Sequence, residues 1–135
     1  MPRKKIIVDT GVISRCLGLR ASMPELFSAV QRLSVDSDYT LCMTVPIAME
    51  VEQWLMYAYK NSDTKRLKVA QDFIRQIQVL SYTRDAQKLS VEFAKRYSVG
   101  GVSDLMTAAI AATERIEVFT LSRKDYKRIQ GVLLY

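Results

Sequence analysis

Histidine is absent from the 135 residues, and that one gap removes several kinds of chemistry together. Without imidazole there is no Ser/His or Cys/His nucleophilic pair, no histidine general base and no histidine metal ligand. Any hydrolytic chemistry must rest on carboxylates. Cysteine is nearly absent too: Cys16 and Cys42 have no paired spacing. Neither a disulfide framework nor a thiolate metal site is expected, and both read as small buried apolar residues. With only 5 Gly and 3 Pro, collagen-like and low-complexity chains are excluded. Long hydrophobic runs are missing as well. The apolar stretch Ile6-Ile7-Val8 is too short for a signal-peptide core or a bilayer span, so a cytoplasmic protein with no membrane association is expected.

What remains is an ordinary globular composition, 49% hydrophobic and 25% charged, in a length that suits one domain over residues 1–135. Lys+Arg number 20 against 14 Asp+Glu, a net charge of +6. That excess suits a polyanionic partner, and equally a soluble basic surface.

Along the chain, Lys4 to Val8 reads as a strand ending at Asp9, with a turn at Thr10-Gly11 and a helix from Val12 to Leu19. Ser22 is the expected cap of a second helix, with Pro24 in its first turn. Tyr39 to Met43 reads as a second strand, and Thr44 should cap a third helix reaching Lys60. Helical spacing recurs over Thr64 to Gln76 and Asp85 to Tyr97, with a short strand at Gln78 to Ser81 between them. Ser103 can cap an alanine-rich helix from Asp104 to Glu114, Glu117 to Thr120 is strand-like, and Val132 to Leu134 could add an edge strand. Alternating strands and helices imply right-handed crossovers and an α/β fold in three layers, α/β/α, with a mainly parallel central sheet flanked by helices. Ligand groups in such sheets gather beyond the carboxyl ends of the strands, where Asp9 and the segment after Thr120 fall.

Each acidic candidate has a plain structural reading beside the functional one. Asp9 could simply cap the next helix, Asp104 could complement a helix dipole, and Asp125 could be a solvated charge in the basic run Arg123 to Arg128. Glu50 and Glu52 border the apolar face of the third helix on opposite sides, about 200° apart, so only one can face a given site. Periodicity does not choose between them.

Four segments, IIVDTGVIS, TVPIAMEV, SDLMTAAIAA and TLSRKDY, together resemble the PIN-domain family over nearly the whole length, and in particular its VapC-type toxin ribonucleases. The resemblance selects Glu50 over Glu52 and assigns the acidic set of such domains to Asp9, Glu50, Asp104 and Asp125. It implies a site for Mg²⁺ or Mn²⁺, with Thr10, Thr120 and Ser122 beside the acids. The expected activity is cleavage of single-stranded or looped RNA, drawn in by Arg123, Lys124, Lys127 and Arg128. It also implies an antitoxin partner and a homodimer. Met49, Met56, Tyr57 and Tyr59 lie off the inward face of the third helix, as residues meeting another chain would. Two positions depart from the family pattern: Gly11 stands where a small polar residue is common, and Ser122 where an Asn is common. They leave open a catalytically weak PIN-like module that binds RNA or protein. A phosphatase of the haloacid dehalogenase type would need a second Asp where Gly11 stands.

Overall fold

In the computed structural model, residues 2–21, 23–98 and 101–135 are described. Strand β1 (Lys4–Val8) leads into α1 (Thr10–Cys16) and α2 (Pro24–Val35), and β2 (Tyr39–Thr44) into α3 (Val45–Tyr59) and α4 (Thr64–Ile74). Then β3 (Gln78–Leu80), α5 (Arg84–Arg96), α6 (Val102–Glu114), β4 (Glu117–Phe119) and α7 (Arg123–Lys127) complete the order. The four strands pair in parallel in the order β3-β2-β1-β4, which is the α/β architecture expected, with helices flanking the sheet.

A parallel sheet covered on both faces calls for continuous apolar strands. Ile6, Ile7 and Val8 are fully buried, and Cys42 and Val118 lie beside them on the neighbouring strands. Helix α6 supplies Ala108, Ala109, Ile110 and Ala111 to the same core, its small side chains allowing close approach. Helix α3 contributes Ile47, Val51 and Leu55. Both cysteines are free thiols; Cys42 is buried, as expected, whereas Cys16 is half-buried, and burial raises the pKa of each.

Strand order sets where a ligand can enter. From β1 the chain winds outward through β2 to β3, then crosses to β4 on the other side of β1. The carboxyl ends of β1 and β4 therefore flank the point where the winding reverses, the usual binding crevice of an open α/β sheet.

Several local expectations needed correction. Ser22 lies outside the described residues, and α2 starts at Pro24 with Met23 in the cap position. Thr44 occupies the cap position of α3 but makes no capping bond, because its hydroxyl pairs at 2.8 Å with Thr107 of α6. Gly101, not Ser103, precedes α6. Leu134 forms only an isolated bridge to Val118, so the last residues are not a strand of the sheet. Tyr59 is not available to another chain in the way Met49, Met56 and Tyr57 are. Its hydroxyl donates to the Leu17 and Gly18 carbonyls at 3.3 Å, and the Arg66 guanidinium lies over its ring.

Candidate active site

Asp9 caps α1 while terminating β1, and only 7% of it is exposed. Its Oδ1 accepts from the Thr10 backbone N–H at 2.9 Å and its Oδ2 accepts from the Thr120 hydroxyl at 2.7 Å. Thr120 immediately follows β4, and its own oxygen accepts from the Ser122 N–H at 3.0 Å. The carboxylate thus joins the ends of β1 and β4 across the switch point. Asp9 is a helix cap, as its plain structural reading has it, and its carboxylate is buried at the edge where β1 and β4 end.

Burial raises the pKa of Asp9 above the ordinary carboxylate value, the hydrogen bonds from Thr120 and Thr10 oppose the rise, and the charges of Asp104 and Glu50 add to it. Asp104, in the first turn of α6, is likewise raised by burial, with the Tyr126 hydrogen bond lowering it and the charges of Glu50 and Asp125 raising it. Asp9, Glu50 and Asp104 therefore lie within electrostatic reach of one another, with Asp125 near Asp104. Asp125 itself is exposed on α7. Glu52 faces elsewhere: its carboxylate accepts from Gln71 at 3.4 Å and pairs with Arg75 at 3.8 Å, both toward α4.

Tyr126 is the group that the sequence pattern left unassigned. It appeared there only as the aromatic after Asp125, yet its side chain is 1% exposed and its hydroxyl donates to Asp104 Oδ1 at 3.4 Å. Burial, followed by the charges of Asp9 and Asp104, drives its pKa far upward, so it stays a neutral donor. Its signal was faint: a Tyr next to an Asp, on a five-residue helix too short for periodicity to reveal.

Of the four basic candidates, Arg123 donates to the Tyr135 carbonyl at 2.8 Å and Arg128 to the Ser98 carbonyl. Lys124 and Lys127 are exposed, and among the described residues no acidic side chain pairs with them. Gly11 sits in the first turn of α1, where an added Cβ would meet only the Arg15 guanidinium at 3.7 Å. A small polar side chain would therefore fit there.

The donor set at this edge is entirely hard oxygen, partly buried and, among the described residues, unpaired with any Lys or Arg. Such a set suits Mg²⁺ or Mn²⁺. Among the described residues no three acidic side chains are gathered closely enough to form a ready cage. Mg²⁺ does not require one, since it retains several waters and typically takes one or two carboxylates.

Comparison with known proteins adds to this geometry. A PIN domain family model matches residues 6–131. No curated protein matches in sequence. Among solved structures, the chain resembles VapBC2 from Rickettsia felis bound to a promoter DNA fragment, with TM-score 0.75, 15% identity and 97% of each chain covered. It resembles VapBC-1 from nontypeable Haemophilus influenzae, with TM-score 0.75 and 14% identity over 97% of this chain and 96% of that one. It also resembles VapC20 from Mycobacterium tuberculosis, a Sarcin-Ricin loop cleaving toxin, with TM-score 0.61 and 13% identity over 90% and 92%. Likeness at these identities establishes the fold.

Proposed function

The chain belongs to the PIN domain family, and from that premise we propose that it is a Mg²⁺- or Mn²⁺-dependent endoribonuclease acting as the toxin of a toxin–antitoxin pair. The observation that carries this reading is the buried Asp9 carboxylate, held at the β1/β4 switch point in the field of Glu50 and Asp104, with no Lys or Arg among the described residues paired to any of the three. Like charges brought together in a partly buried place favour recruiting a cation.

Asp9, Glu50 and Asp104 would hold the ion directly or through water, with Asp125 assisting. Once bound, it supplies a water of lowered pKa and neutralises charge on the phosphodiester. The chain's own contribution is positioning. Thr120 and the Thr10 N–H fix both oxygens of Asp9, the Ser122 N–H steadies Thr120, and Tyr126 donates to Asp104. Lys124 and Lys127, with Arg123 and Arg128, give the rim a positive charge that draws RNA toward an acidic centre. Single-stranded or looped RNA fits best because its backbone can bend into the edge, and one structure of similar fold is a toxin that cleaves the sarcin-ricin loop.

An antitoxin segment would dock in the groove of about 330 Å³ lined by Leu17, Phe27, Val30, Val69, Ala70 and Phe73. Phe27 and Val69 are exposed there, and one structure of similar fold is a toxin–antitoxin complex. A homodimer would use Met49 and Met56, exposed on the outer stripe of α3. The test is cleavage of a single-stranded RNA by wild type and Asp9→Asn, with Mn²⁺ and with chelator. Metal-dependent cleavage lost in the variant is expected. RNA retained uncut by the wild type in Mn²⁺ would overturn the nuclease reading in favour of a binding module.

A further inference from the structure

Helix α3 carries more than Glu50 on the stripe that borders the core. At about 100° per residue, Glu50, Trp54 and Tyr57 fall within about 60° of one another, while Met49 and Met56 lie about 80° or more from both aromatics. Trp54 is four residues beyond Glu50, about 6 Å along the helix axis. Around it opens a concavity of about 540 Å³ lined by Leu19, Arg20, Gln53, Trp54, Tyr57 and Ala58. The Arg20 guanidinium lies 5.4 Å from the Trp54 ring centroid, and Tyr57 is 93% exposed. Among the described residues no acidic side chain lines the hollow.

We propose that this concavity is a nucleobase-stacking subsite for single-stranded RNA, next to the acidic edge; the inference rests on the nuclease reading and names how its substrate is held. Aromatic rings accept any base on their faces, worth about 1–3 kcal/mol per base, and an arginine plane extends such a stack or takes the adjoining phosphate. Gln53 adds an amide with both donors and an acceptor, able to reach a base edge. Glu50 stands one helical turn from Trp54 on α3, so a strand with one base on Trp54 can reach it with a neighbouring phosphate. The chemistry of the lining favours RNA over an apolar protein segment. It combines two aromatic rings, one cation and one amide with Leu19 and Ala58, whereas the separate groove between α2 and α4 is lined by Leu17, Val30, Val69 and Ala70 with Phe27 and Phe73.

Trp54 is the only tryptophan in the chain, so its fluorescence reports on this site alone. The probes are a single-stranded RNA hexamer and an abasic hexamer of equal charge, titrated into the wild type in chelator and low salt. The expected result is saturable quenching by the base-bearing oligomer and little by the abasic one. In anisotropy measurements with labelled oligomer, Trp54→Leu should weaken binding about 5- to 150-fold and Trp54→Phe should restore most of it. Tyr57→Ala, at a fully exposed position, gives a second variant that should weaken binding without threatening the fold. Equal quenching by both oligomers, no quenching by either, or an emission shift on concentrating the protein alone would overturn the subsite, the last by assigning the hollow to a second copy of the chain. Cleavage of the hexamer in Mn²⁺ without base-dependent quenching would sink this inference and leave the nuclease reading standing. Base-dependent quenching without cleavage would do the reverse.

Discussion

At the scale of single residues, the acidic edge sets stability against function. Burial raises Asp9 and Asp104 above ordinary carboxylate pKa values. Each therefore contributes stability that is fully present below the unfolded value of about 3.9 and is lost as pH rises through the raised folded value. Asp104→Asn, which keeps the shape and removes the charge, should unfold at a higher temperature than wild type in chelator at neutral pH, by a few degrees. That advantage should grow as pH rises above about 4. Thermal scans across pH check it, and a variant less stable at every pH would contradict the account. Thr120→Val tests the partner of Asp9. It leaves a buried carboxylate oxygen without its donor, and should cost about 1–3 kcal/mol in urea unfolding. Much of this edge was legible from the residues, because Asp9 and Asp104 stand at element ends where carboxylates are noticed. Choosing Glu50 over Glu52 needed the family resemblance, since both border the same apolar face and only the packing of α4 shows that Glu52 is engaged elsewhere. Tyr126 was not legible as a partner of Asp104, because nothing local announces a hydroxyl reaching a carboxylate 22 residues earlier.

At the scale of elements, period and turn chemistry located every strand of the sheet and the longer helices, with ends displaced by at most three residues. The missing capping bond of α3 has a physical cause, which is tertiary competition for a local group. Thr44 has the right chemistry for a cap, but its hydroxyl is taken by Thr107, a bond that ties the end of β2 to α6. The two glycines in and after α1 show how position decides sign. Gly11 is helical with room for a methyl group, so Gly11→Ala should stabilise the protein by about 0.5–1 kcal/mol. Gly18 has φ +74, and a Cβ there would run into the Arg66 guanidinium. Gly18→Ala should therefore destabilise by about 1 kcal/mol or more. Denaturant midpoints of the two variants check both signs, and a shift in the same direction for both would contradict the helix and turn geometry.

At the scale of the whole molecule, a net charge of +6 stands beside an edge where Asp9, Glu50 and Asp104 feel one another's charge, so metal and polyanion should reinforce each other's binding. An ion that binds only the folded site stabilises by mass action, about 2.7 kcal/mol at 100 times its Kd. Mn²⁺ should accordingly raise the melting temperature of wild type by several degrees and leave that of Asp104→Asn nearly unchanged; equal shifts would locate the ion elsewhere. The central claim is narrower still: the working edge contains Glu50 and excludes Glu52, two residues apart on one helix. Cleavage of a single-stranded RNA in Mn²⁺ by wild type, Glu50→Gln and Glu52→Gln addresses it most directly. The account predicts a loss of about 100-fold or more for Glu50→Gln and an unchanged rate for Glu52→Gln, whereas full activity in Glu50→Gln, or a comparable loss in both, would contradict it.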